Sequence, residues 1–294
     1  SESRTMASFM AREEEKCGGD KPQPRLLRLG SSASYETRGS YFADTRDYED
    51  HTFSGIMFDL CANVDLPVKY IEIQAIWVRG FLGPIQIFET PNGYLHKHNS
   101  PSVWKRVHNA HHRQSPYDLV PLHLSPAIKL KPGERVGFYV HSSLPGDQGI
   151  VYNNQHSQET HRDDFIKILP GMAHTSREAF NPIGFWGHTS WRRRREFVGR
   201  VSYGAKFLLW NNVHHDLFPP AFRQAVEAAL SVGANNHVPC AVVKYIFNFC
   251  PWNWFQGAAI ESEQKKSRLS RLMGGVRGSW KKTKKICKKG CVIS

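Results

Sequence analysis

Between Tyr41 and Leu209, short runs of alternating apolar and polar residues restrict the fold more than any other feature of this chain. Ile56, Phe58 and Leu60 alternate with Met57 and Asp59. Ile71, Ile73, Ala75 and Trp77 alternate with Glu72, Gln74 and Ile76. Val136, Phe138 and Val140 alternate with Gly137, Tyr139 and His141, after a Pro132–Gly133 turn. Successive side chains of an extended strand point to opposite faces, so a period of two marks a strand with one buried face. Ile85 and Ile87, Ile128 and Leu130, Ile150–Tyr152, Phe165–Leu169 and Phe197–Leu209 continue the series between Gly, Pro and Asn breaks. The spacing predicts a mainly β domain over residues 41–212, an antiparallel sandwich or jelly roll.

The period changes after Trp210. Phe218, Phe222, Val226 and Leu230 recur every four residues behind Pro219–Pro220, which predicts a helix ending near Gly233. A second apolar segment, Ala241–Cys250, lies between Pro239 and Pro251 and leads into Trp252, Trp254 and Phe255. Residues 213–256 therefore form a helical, aromatic-rich segment too short in its apolar runs to span a bilayer. Its aromatics either fill a core or dip into a membrane interface. Residues 1–40 are polar and broken by Gly, Pro and Ser, and are expected to be disordered apart from a short helix near Met6–Lys16.

Charge is distributed unevenly. The 294 residues include 39 Lys and Arg against 26 Asp and Glu, a formal net charge of +13. Eleven of the basic residues and none of the acidic ones follow Gln264, which leaves 28 against 26, a net of +2, for the rest. The basicity thus belongs to a flexible tail over 257–294 and not to the body. That tail ends in Cys291-Val292-Ile293-Ser294, a cysteine followed by two aliphatics and a terminal Ser, which is a prenylation box of the farnesyl type. A box in use makes Ser294 the natural C-terminus. Lys281, Lys282, Lys284, Lys285, Lys288 and Lys289 surround Cys287, a candidate for palmitoylation. One lipid chain of this size binds membranes marginally, and each lysine near an anionic leaflet adds about 1 kcal/mol. In this arrangement the tail resembles the C-terminal ends of Ras and Rho small GTPases, over about residues 280–294 only; no phosphate loop of the GxxxxGK[ST] form occurs upstream.

The body resembles β-sandwich modules of bacterial surface proteins and of uncharacterised algal and protist proteins. The resemblance rests on Phe53–Asp59, Pro132–Val140 and Arg195–Tyr203. It implies a fold and no catalytic residues.

Two clusters invite chemistry. His108, His111 and His112 form an HxxHH pattern with no Glu between the first two, unlike the HExxH zinc motif. On a strand, His108 and His112 share one face and His111 takes the other. They are weak metal candidates, read first as solvated loop histidines. Arg192, Arg193, Arg194 and Arg195 are either a solvated hairpin loop or a contact for phosphate. Asp47, Glu49, Asp50 and the Asp163–Asp164 pair could in principle serve glycoside hydrolysis, but adjacent acids on a strand diverge. No GxSxG elbow occurs. The six cysteines form no CxxC pair and are expected as free thiols, Cys61 and Cys240 buried.

These features predict a non-enzymatic binding module without cofactors. A farnesylated polybasic tail holds it at the cytosolic face of a membrane, with a soluble cytosolic pool. Its partners are anionic lipids, a prenyltransferase and a protein or glycan ligand of the sandwich. A jelly-roll enzyme with a histidine-lined metal site, and RNA binding through the tail and Arg192–Arg195, are the alternatives.

Overall fold

The computed structural model describes residues 10–12, 27–29, 34–184 and 187–255. The tail, with Cys287, Cys291 and the six lysines, lies outside them. Two compact units divide the chain near Trp210.

In the first unit, two antiparallel sheets form a sandwich. The larger runs β4 (His51–Phe53), β11 (Ile150–Asn154), β14 (Trp191–Phe197), β13 (Ile166–His174), β5 (Gly55–Ala62), β10 (Arg135–Ser142), β7 (Gly83–Pro91), β8 (Lys105–His112), with β12 (His161–Arg162) paired to β13. The smaller runs β3 (Ser34–Asp44), β15 (Arg200–Leu208), β6 (Val68–Gly80), β9 (Ser115–Leu130). Apart from these sheets, and mostly within the second unit, two short strands, β1 (Met10–Arg12) and β2 (Leu27–Leu29), pair with each other. Residues 10–12 are strand where a helix is expected near Met6–Lys16; the rest of that segment lies outside the described residues. β3 begins inside the segment expected to be disordered, because β15 offers it a partner from Ser34↔Leu208 to Asp44↔Arg200, with one register shift between Tyr203 and Ala205.

The alternation holds, but the larger sheet is buried on both faces at its centre. Ile56, Phe58 and Leu60 of β5 and Val136, Phe138 and Val140 of β10 are at most 1% exposed. Phe58 stacks on Phe197 with ring centroids 4.3 Å apart. The intervening residues are buried as well. Met57, Tyr139, Met172 and Trp191 form a second cluster with Trp104 and Phe180, which come from the connections after β7 and β13. These connections cover a face that period-two reasoning assigns to solvent. A run such as Gly137, Tyr139, His141 satisfies either outcome, since Tyr and His tolerate burial when their polar atoms find partners.

Ion pairs close the ends of the strands. Arg79 donates to Asp47 and Asp50 in the β3–β4 connection and to the Pro116 carbonyl. Glu49 accepts from the Asn154 backbone, 2.6 Å, which holds its carboxyl below the usual range. These acids are engaged in contacts that tie the β3–β4 connection to the strands.

The second unit contains α1 (Pro220–Asn235) and α2 (Cys240–Phe247), each opened by a proline. Phe222 and Val226 of α1 pack with Val243 and Phe247 of α2 around Trp210 and Phe218, and Trp252 and Phe255 pack against them. The other side of α2 is exposed: Tyr245, Ile246 and Phe249 are more than half accessible, as is Trp254. The segment fills a core with one set of aromatics and leaves another set exposed. No helix among the described residues is long and apolar enough to cross a membrane. Cys61 and Cys240 are half-buried and not buried, since each sits near the end of its element.

Candidate anion-binding site

The four arginines do not form a loop. They lie within β14, and a double irregularity separates their roles. Gly171 pairs with Arg195 and Met172 with Arg193, so Arg194 is an extra residue bulged from β14. On the other side of β13 the register slips again between Leu169 and Met172 opposite β5. A bulge re-aims the side chains around it. Arg194 takes a left-handed φ of 57°, a conformation that non-glycine residues adopt at a cost. Its carbonyl accepts from the Gln155 backbone, 3.1 Å.

A cleft of about 350 Å³ opens at this bulge. Its floor is Pro170, Gly171 and Met172, and Arg193 and Arg194 form one wall. Tyr94, Leu95, His96 and His98 form another, and Gln155 and Gln158 complete the rim. No carboxylate lines it. Arg193 and Arg194 are exposed, and neither guanidinium pairs with another described residue. His98 Nδ1 is buried without a hydrogen-bond partner. Desolvation, with Arg193 and His96 nearby, holds the His98 imidazole below its usual range.

Each wall is fastened from behind. The buried Asp59 accepts from the Tyr94 backbone, 2.8 Å, and pairs with Arg135. Desolvation pushes the Asp59 carboxyl above its usual range despite that pair. Trp104 donates to the Lys97 carbonyl, 2.9 Å, Trp191 donates to Asn99 Oδ1, 2.7 Å, and His98 packs edge-on against Trp191. The buried Glu196 accepts from the backbones of His156 and Ser157, 2.9 and 2.8 Å, which fixes the rim at Gln155–Gln158. Such support holds the lining groups in place.

Arg192 and Arg195 take no part. Arg192 donates to the Thr189 carbonyl, and Arg195 donates to the carbonyls of Arg193 and Arg194 and lies over the Tyr152 ring. The division of the run could not be read from sequence, because four identical residues carry no mark of a bulge. Gly171 was the available signal: a glycine in a strand often marks one.

The histidine pattern lies on β8, not in a loop. His108 and His112 do share a face, their Nε2 atoms 3.0 Å apart, and His108 Nδ1 donates to the His123 carbonyl. His111 is not part of the pair. No group of three or more potential ligands able to hold a metal occurs among the described residues.

Two histidines not singled out by sequence are more deeply placed. His174 Nε2 donates to the Asn181 carbonyl, 3.0 Å, so its Nδ1 accepts from the Tyr139 hydroxyl, 2.7 Å. His141 Nε2 donates to the Ser176 carbonyl, 3.0 Å, and its buried Nδ1 has no partner. Burial pushes His141 down to about 4 and His174 down to about 3, so both are neutral near pH 7. They pin the connection after β13 to the sheet.

A third histidine is held toward its protonated form. His161 faces the Asp44 carbonyl with Nδ1 and the Asp163 carboxylate with Nε2, at 2.8 and 3.1 Å, which requires a proton on both nitrogens. The Asp163 hydrogen bond and charge hold it above its usual range. Asp163 also accepts from the Tyr203 hydroxyl and two backbone amides. It is a joint in the fold, and its geometry leaves little room for a role as a paired catalytic acid.

No family model matches the sequence, and no curated protein matches it. A solved structure of infectious bursal disease virus, Gx strain, is similar over 79% of this chain and 56% of that one, at 11% identity and a TM-score of 0.20. The crystal structure of the T13 IBDV viral particle is similar over 85% of this chain and 58% of that one, at 11% identity and a TM-score of 0.14. The chain spans little more than half the length of either, and overlap at these scores assigns neither fold family nor function.

Proposed function

We propose that this chain is a non-enzymatic binding module, held at the cytosolic face of an anionic membrane by a farnesylated polybasic tail, with a soluble pool. The observation that carries the membrane part is the exposed face of the second unit. Tyr245, Ile246, Phe249 and Trp254 are each exposed, and Tyr245 and Phe249 are in ring contact, shortly before the segment that ends in six lysines and Cys291. Aromatic residues of this kind favour the headgroup region, lysines favour anionic lipids, and a prenyl chain adds the second signal that stable anchoring needs. Palmitoylation of Cys287 would strengthen the same attachment.

Membrane fractionation of cells expressing N-terminally tagged protein tests this. The parent is expected mainly in the membrane fraction and Cys291→Ser mainly in the soluble one. Phe249→Asp with Cys291 intact is expected to shift part of the protein to the soluble fraction. Equal membrane association of the parent and Cys291→Ser would sink the anchor.

A further inference from the structure

We infer that the cleft at the β14 bulge binds a phosphate monoester carried on a polyol, a chemistry shared by soluble sugar phosphates and by phosphorylated inositol headgroups. This rests on the binding-module reading and not on the lipid anchor. Three observations converge. Arg193 and Arg194 both line one cleft that no carboxylate lines, and the Arg193 charge acts on His98 of the same lining. Planar guanidinium forks match phosphate oxygens with paired, charge-assisted hydrogen bonds. His98 lines the same cleft and has a ring nitrogen, Nδ1, without a hydrogen-bond partner.

The backbone is held in an uncommon shape at the same place. Arg194 and His96, both in the lining, have left-handed φ angles, 57° and 63°. Strained residues persist where the surrounding structure over-determines them, often at ligand sites. Here Asp59, Glu196 and the two tryptophans do the determining.

The remaining lining selects what carries the phosphate. Gln155 and Gln158 offer amides suited to hydroxyl groups, and Tyr94 offers a ring edge and a hydroxyl. A cleft of about 350 Å³ accommodates a monosaccharide-sized ligand. An apolar or positively charged ligand would leave the guanidinium groups uncompensated.

The test uses the full chain as Cys291→Ser from bacteria, so that no lipid is attached. Titration calorimetry compares glucose 6-phosphate, myo-inositol 1-phosphate and unphosphorylated myo-inositol. The two phosphates are expected to saturate and myo-inositol to give no heat. Arg193→Ala/Arg194→Ala is expected to weaken binding about tenfold or more, and Arg192→Ala, which removes a charge outside the cleft, to leave it within about twofold. Arg193→Gln, which keeps the side-chain length better, is expected to weaken it less and guards against misfolding of the double variant. On saturation the His98 imidazole titration, followed by NMR, is expected to move to higher pH.

Vesicles of phosphatidylcholine with phosphatidylinositol 4-phosphate separate the two sources. Loss of vesicle binding in the double arginine variant, with all six tail lysines present, identifies a lipid headgroup. Retained vesicle binding together with lost sugar phosphate binding identifies a soluble ligand. Saturable phosphate binding unchanged by the double variant, or no binding of either phosphate probe, overturns the inference. Neither outcome touches the anchor, because the protein tested already lacks Cys291.

Discussion

Acidification from pH 7 to pH 5 is expected to destabilise the sandwich by about 4 kcal/mol through His141 and His174 alone. Both imidazoles are pushed below the value of 6.5 that they regain on unfolding, to about 4 and about 3. The unfolded chain therefore binds protons first as the pH falls. Stability from the neutral rings is present above about 6.5 and is lost progressively toward the folded values. At pH 5 each ring contributes about 2 kcal/mol of that loss. His98 and His112, also held below their usual range, act in the same direction. His161 opposes them: its value is raised, so its contribution is complete below the unfolded value and is lost as the pH rises through the folded one.

The cause is geometric. A second proton on His174 would have to sit on Nδ1, where the Tyr139 hydroxyl now donates. That hydroxyl also takes a hydrogen bond from the Phe180 backbone, so it has little freedom to turn. A second proton on His141 would bury an N–H with no acceptor. Because Ser176 and Asn181 are the acceptors for the other ring nitrogens, the connection after β13 is expected to loosen first. Urea unfolding at pH 7 and pH 5, with hydrogen exchange over residues 175–184, measures both effects. His174→Asn keeps an acceptor for Tyr139 but does not titrate, and should flatten the pH dependence by about half. An unchanged slope in that variant would refute the assignment.

These histidines also mark the limit of what was legible in the sequence. Strand positions followed from the alternation of Ile56, Phe58 and Leu60 or Val136, Phe138 and Val140, because a period of two has one structural meaning. The helix of α1 followed from Phe218, Phe222 and Val226 for a similar reason. The fate of the other strand face did not follow. Whether Tyr139 and His141 meet water or a covering chain depends on the connections at 92–104 and 175–191, which carry no periodicity and pack through contacts distant in sequence. The arginine run was legible as charge and illegible as geometry. Its split into cleft-lining Arg193 and Arg194 and backbone-bound Arg192 and Arg195 depends on a bulge set by β13, some twenty residues earlier. The tail lies outside the described residues, so its reading as a prenylation box with lysines rests on sequence alone.

Gly171→Ala is expected to destabilise the sandwich by about 3 kcal/mol and to abolish ligand binding in the cleft. A methyl group on Gly171 would meet the Met57 carbonyl oxygen well inside contact distance, and Met57 C and Phe58 Cα lie only 2.7 and 3.0 Å away. The obstacle is the backbone of a central strand, which cannot swing aside as a side chain can. Relief requires β13 to separate from β5, where Met57 and Phe58 anchor the clusters on both faces. Gly146→Ala provides the comparison. Its φ of 93° also disfavours a side chain, but nothing lies within 4 Å of the added carbon. That change is expected to cost about 1 kcal/mol from backbone strain alone. Urea midpoints of the two variants should therefore separate strain from collision. Gly171→Ala also moves the cleft floor on which the bulge of Arg194 rests, so phosphate binding should fall even below the denaturation midpoint, where the chain is still folded. Equal costs for the two substitutions would show that β13 can yield at Gly171, and would remove the reason for holding the bulge to be rigid.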